Sequence, residues 1–139
     1  MKARIKWQEG ICSLGETESG HSVVIDGAPG IGGKNLGPRP MELILLGLGG
    51  CSTIDVILIL QKSRQEITDC VVEIDAVRAV EDPKVFTDIH MHFIVTGKKL
   101  NAHQVERAIS LSAEKYCSAS IMLKNSVNIT HDFEIIEDE

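Results

Sequence analysis

The amino-acid sequence predicts a single domain, residues 1–139, of the α+β class, with strands wrapped around one long central helix. Three observations carry this reading. Met41–Leu60, MELILLGLGGCSTIDVILIL, is the most hydrophobic stretch of the chain and has apolar residues on nearly every side of the helix its pattern implies. Strand-like segments come in runs on either side of it, not in regular strand–helix–strand alternation, which separates α+β from α/β architecture. Finally, Thr87–Thr96 alternates strictly: Ile89, Met91, Phe93 and Val95 share one face, and Asp88, His90 and His92 share the other.

A helix apolar all round must be buried all round. About 20 apolar residues would also cross a bilayer. Glu42, Ser52, Thr53 and Asp55, with Gly47, Gly49 and Gly50 between them, favour a core helix instead, because a carboxylate inside a membrane is costly. The other elements are too few to cover such a helix, so a homodimer with two central helices packed together is expected.

The elements follow in order. Ala3–Gln8, Leu14–Glu18 and His21–Asp26 read as strands, with Ser19-Gly20 as a tight turn. Trp7 is expected in the core or at a subunit contact. Gly27–Pro40 holds five glycines and three prolines and has no periodicity, which marks a long loop, either a connector or a lid over a site. Pro40 suits the first turn of the central helix, Glu42 suits its dipole, and the helix is expected to run to about Gln65. Cys70–Val80 is a strand, Glu81–Lys84 a turn, and Asn101 caps a helix to about Tyr116 with Val105, Ala108, Ile109 and Ala113 inward. Ser118 is placed as the cap of a short helix to Lys124. Val127–Ile136 closes the chain as a strand on which His131 shares the apolar face.

Composition narrows the function. A hydrophobic content of 43% fits a globular fold. A net charge of −6, from 14 basic and 20 acidic residues, disfavours nucleic acid or an anionic membrane as partner. The opening residues alternate Lys2, Arg4 and Lys6 with Ala3, Ile5 and Trp7 and read as a strand rather than a signal peptide. The four cysteines, Cys12, Cys51, Cys70 and Cys117, lack CxxC spacing, so neither a zinc site nor a secreted disulfide framework is expected. A reducing, cytoplasmic setting follows. No cofactor is expected, and Gly30–Gly33 does not precede a helix as a phosphate loop must.

The chemistry concentrates on two thiols. Glycine costs about 1 kcal/mol in a helix interior, so Gly47, Gly49 and Gly50 before Cys51 suggest close approach to the backbone. An inert core cysteine is the alternative. Cys117, flanked by small residues at a helix junction, makes a peroxidatic and resolving pair plausible. Asp55, one turn after Cys51, would raise the thiol pKa, and a cation such as Arg39, Arg4 or Lys115 would have to offset it. His90 and His92 could take a metal with a third ligand, although an exposed polar face is the simpler account. Cys12 and Cys70 read as structural.

Pro40-Met41-Glu42, Gly49-Gly50-Cys51-Ser52, Ala113-Glu114-Lys115-Tyr116-Cys117 and Val127-Asn128-Ile129-Thr130-His131 together resemble the OsmC/Ohr family of osmotically inducible and organic-hydroperoxide-resistance proteins, most closely its YhfA-like branch. The resemblance covers essentially the whole chain. It implies an intertwined homodimer and thiol-dependent reduction of organic hydroperoxides, with Cys51 peroxidatic and Cys117 resolving. Peroxidase members carry a glutamate directly after the helix-starting proline, where this chain has Met41. Glu42 lies one place on, rotated by about 100° around the helix, and Arg39 is the candidate for the family's arginine. The alternative is a protein that keeps the fold to bind a small apolar ligand or sense redox state. The thiol reductant is not indicated by the sequence.

Overall fold

The computed structural model describes all 139 residues and divides into two compact units, Met1–Leu46 and Gly47–Glu139, with the long helix crossing the boundary. The class is α+β, as the run-wise strand order implied.

The first unit is an antiparallel meander of β1 (Ala3–Glu9), β2 (Cys12–Thr17) and β3 (Ser22–Ile25). Ala3 pairs with Thr17 and Ser13 with Ile25, and the β1–β2 register shifts between Trp7 and Glu9. Trp7 is not in the core of the chain: it is 69% exposed, and its indole N–H donates to the Gly10 carbonyl at 2.7 Å. The loop after β3 is tied down by one buried side chain. Asp26, only 2% exposed, accepts from the backbone N–H groups of Gly27 (2.8 Å), Lys34 (3.1 Å) and Leu36 (3.2 Å). The Gly27 bond, seconded by the other two and by the charge of Arg39, holds this carboxyl below its usual range against the opposing effect of burial. Gly33 and Gly37 are required here, because a side chain on either would run into the backbone of Gly27 or Val24.

Helix α1 spans Pro40–Lys62. Its start is half of a capping box: Glu42 Oε1 accepts from the backbone N–H of Arg39 at 2.8 Å. Its end comes three residues before the expected one because Arg64 turns left-handed (φ 59°). Arg64 N–H then donates to Gln61 O at 3.0 Å and Gln65 N–H to Leu60 O at 2.9 Å, which is a Schellman closure.

In the second unit β4 (Glu66–Arg78), β5 (Phe86–Lys98) and β6 (Asn128–Glu137) form one sheet in that order, β4–β5 antiparallel and β5–β6 parallel. The parallel pair is bridged by α2 (Ala102–Leu111), a π-helical turn (Ser112–Tyr116) and α3 (Ser118–Leu123). The core lies on the inner face of β5, where Ile89, Met91, Phe93 and Val95 are at most 3% exposed, as their alternation predicted. Leu48, Val56 and Leu60 of α1 and Val105, Ala108 and Ile109 of α2 complete it. Gly49 lets α1 approach β4: a Cβ there would meet Ile74 Cδ1 at 2.9 Å. The buried residues Leu48, Ser52, Val56 and Leu60 form a single stripe at four-residue spacing. Only 28% of the apolar window of α1 is buried in the chain, and Leu46, Ile54 and Leu58 are 64%, 61% and 48% exposed.

Candidate thiol site

Cys51 sits on α1 where small residues surround it, and Cys117 sits between the π-helical turn and α3. The turn explains how Cys117 reaches its place. Its five-residue loop closes through the Cys117 N–H donating to Ser112 O at 2.8 Å, so the chain leaves the α2 register just before the cysteine. Cys117, not Ser118, then caps α3: its Sγ accepts the Ser120 N–H at 3.3 Å. A sulfur one position earlier does the work expected of a hydroxyl because the backbone is extended at Cys117 (φ −74°, ψ 104°).

The structure brings Cys51 Sγ, Cys117 Sγ and a carboxylate oxygen of Asp55 within 4.8 Å of one another. Cys117 is fully buried, Cys51 and Asp55 are half-buried, and all four cysteines are free thiols. The Ser52 hydroxyl donates to Cys117 Sγ at 3.4 Å, and the Ser112 hydroxyl donates to Asp55 Oδ2 at 3.0 Å. Burial pushes the Cys117 thiol above its ordinary pKa, and the neighbouring Cys51 pushes it further; the Ser52 O–H and Ser120 N–H pull the other way without cancelling it. Cys70 is also pushed up, by burial and then by Asp69, which agrees with an inert role.

Ser52, Ser112 and Ser120 also line a cavity of about 170 Å³ walled by Met91, Phe93, Ile109 and Ile129. Asp55 lines a wider, open cleft of about 540 Å³ with Leu58, Lys62, Arg107 and Tyr116. Sequence reasoning missed the serines as functional groups, although a signal existed. Ser52 lies midway in the Leu48–Val56 stripe, and Ser112 is seven residues after Val105, so helical periodicity turns both inward.

The remaining candidates are occupied differently. Glu42 accepts the backbone N–H of Arg39, while the Arg39 guanidinium turns to the Asn35 side-chain carbonyl and, at 3.5 Å, to Gly37 O. Arg4 pairs with Glu16 at 3.5 Å on the surface, and Lys115 Nζ stands 5.4 Å from the centre of the Tyr116 ring. His131 is exposed rather than a core histidine. His90 and His92 occupy the outer face of β5. Asp132 Oδ1 bonds His92 Nδ1 at 2.6 Å and His90 Nε2 at 3.0 Å, and Thr130 Oγ1 bonds His90 Nδ1 at 2.7 Å. The bond to Asp132 holds the His92 pKa above its usual value, and the same bond holds the Asp132 carboxyl below its own.

Comparison with known proteins places the chain among its relatives. Protein YhfA of Escherichia coli K12 is 51% identical over 136 residues, covering 98% of this chain and 98% of that protein. The crystal structure of a hypothetical protein from Aquifex aeolicus VF5, 30% identical, superposes with a TM-score of 0.88 over 99% of this chain and 97% of that one. The organic hydroperoxide resistance protein OhrB of Bacillus subtilis, at 17% identity, shares the fold, with a TM-score of 0.66 over 96% of this chain and 98% of its own. A family profile described as OsmC-like protein matches residues 32–132, and by that match and the full-length likeness to YhfA the chain belongs to the OsmC-like family.

Proposed function

We propose that this protein is a thiol-dependent redox protein that reduces organic hydroperoxides through Cys51 and Cys117. The supporting observation is that the two sulfurs, 66 positions apart in sequence, lie within 4.8 Å. The name of OhrB points to the same substrate class. In the proposed cycle the Cys51 thiolate attacks the distal peroxide oxygen. The O–O bond breaks, the alkoxide takes a proton to leave as an alcohol, and Cys51 becomes a sulfenic acid. Cys117 then attacks the Cys51 sulfur, water leaves, and a disulfide forms. A dithiol reductant, itself oxidised to a disulfide, restores both thiols. Ser52 and Ser120 already donate to Cys117 Sγ, so they stabilise the thiolate that resolution needs. Arg39 and Glu42 stay in this reading as activating cation and carboxylate on the family resemblance alone.

A second reading, a binding or redox-sensing protein without turnover, is favoured by one feature: the group that stands beside the two thiols is a carboxylate, Asp55, rather than a cation. The assay compares cumene hydroperoxide with hydrogen peroxide under a dithiol reductant. Turnover preferring the organic substrate, lost in Cys51→Ser and stalled at the sulfenic acid in Cys117→Ser, is expected. Equal background rates for all three proteins would overturn the peroxidase and leave the binding reading.

The two units are taken as one domain, because the family match runs across their boundary. A homodimer in the cytoplasm is the proposed form, since Leu46, Ile54 and Leu58 leave an apolar face of α1 uncovered. Light scattering should return twice the 15.2 kDa chain mass; a monodisperse monomer would reject the dimer.

A further inference from the structure

We infer that Cys51, Cys117 and Asp55 form a binding site for a thiophilic divalent cation of the zinc type. The inference uses the same thiols as the proposed redox cycle but not the cycle itself. The three ligand atoms, two sulfurs and one carboxylate oxygen, already lie within 4.8 Å of one another. A tetrahedral zinc ion holds sulfur at about 2.3 Å and oxygen at about 2.0–2.2 Å, so its ligands sit roughly 3.5–4 Å apart. The cluster needs to close by about 1 Å, which rotamer adjustment of the half-buried Cys51 and Asp55 supplies.

The surroundings are those of a supported ligand set. Ser112 donates to Asp55 Oδ2, fixing the carboxylate. Cys117 is held in place by the Ser52 hydroxyl at 3.4 Å and the Ser120 N–H at 3.3 Å from its sulfur. Three donors come from two positions on α1 and one at the start of α3, so the site exists only when the chain is folded. The fourth coordination position is left for water or an exogenous ligand. Of the three ligand residues, Asp55 lines the open cleft that also holds Lys62 and Arg107. Binding a dication would release the thiol protons, so uptake should be accompanied by proton release.

Metal and disulfide are then alternative states of one site. Coordinated thiolates cannot form the Cys51–Cys117 bond, and oxidation of the pair to a disulfide removes two of the three ligands.

The test is anaerobic titration of the reduced full-length protein with Co2+, reading thiolate-to-cobalt charge-transfer absorption, followed by Zn2+ displacement against a chromophoric chelator. One ion per chain is expected. Affinity should fall by roughly a hundredfold in Cys51→Ser and Cys117→Ser, and by roughly tenfold in Asp55→Asn and in Ser112→Ala, which removes only the supporting donor. His92→Ala should bind as the unaltered protein does. Zn2+ should also slow alkylation of Cys51 in the unaltered protein, a readout that does not depend on any variant folding. Absence of charge-transfer absorption, undiminished binding in Cys51→Ser, or loss of binding in His92→Ala would overturn the site. A metal-free protein that still closes the disulfide but takes up no ion would sink this inference and leave the redox reading standing.

Discussion

The Cys51–Cys117–Asp55 cluster and the His90–His92–Asp132 cluster lie in the same unit, and each gathers three ligand-type side chains. They differ in what surrounds them. Asp132 and both histidines face solvent on the outer side of β5 and β6, and the two ring nitrogens share one carboxylate oxygen. Cys117 is fully buried, and the two donors to its sulfur, the Ser52 hydroxyl and the Ser120 N–H, come from residues that are themselves buried. Water can replace any partner in the histidine cluster, so its electrostatics are screened and its energetic worth is small. No such replacement is available to Cys117. The lesson is that burial, more than the number of ligand atoms, turns a cluster of titratable groups into a site.

Four substitutions sharpen or break that contrast. The largest effect is expected from Phe93→Ala, which empties the wall shared by the core and the serine-lined cavity. It should cost about 3–5 kcal/mol in denaturant unfolding. A cost under about 1 kcal/mol would mean that the cavity wall is not part of the cooperative core.

Ser112→Ala comes next, leaving Asp55 without its 3.0 Å donor in a half-buried place. A loss of about 1–3 kcal/mol is expected. The same loss in an Asp55→Asn background would show that the two residues do not interact.

Ser52→Ala removes one of the two donors that lower the Cys117 pKa, so that pKa should rise further. The pH profile of Cys51–Cys117 disulfide closure should move to higher pH with little change in stability. An unmoved profile would mean that the Ser52 hydroxyl does not act on the sulfur.

The smallest effect belongs to the histidine cluster. Asp132→Asn should change stability by no more than about 0.5 kcal/mol, as for surface positions generally. It should lower the NMR titration midpoint of His92, which Asp132 holds up. The signs follow from linkage. The His92 contribution is present below its unfolded pKa of about 6.5 and fades as pH rises through the higher folded value; the Asp132 contribution is present above about 3.9 and fades as pH falls through the lower folded value. A large stability loss in Asp132→Asn would erase the distinction between the two clusters.

Local pattern was enough for several features. The alternation Ile89–Val95 named the core face of β5, and Asn101 named the α2 cap, where its side chain accepts from His103 N–H at 2.9 Å and Gln104 N–H at 3.3 Å. The apolar run named α1, and short motifs placed both thiols in the family. These signals are legible because strand and helix repeat with periods that a one-dimensional string preserves. Periodicity also led astray. His131 occupies an alternating position of β6 yet is exposed. Alternation says which residues share a face, not what lies against that face.

What the tertiary structure alone decided is which residues meet. Ser52 finds Cys117 across 65 positions, and Ser112 finds Asp55 across 57. The π-helical turn that puts Cys117 in place of Ser118 as the α3 cap is a one-residue change of register with no sequence signature of its own. Asp26 likewise organises a glycine-rich loop through backbone N–H groups as far as Leu36, which any residue but proline could donate. Such contacts depend on where folded elements come to rest, and chain order carries no distance. The sequence therefore determined the elements; the packing of α1 against the α2–α3 junction decided that Cys51 and Cys117 come together beside the Asp55 carboxylate, with Ser52, Ser112 and Ser120 as donors.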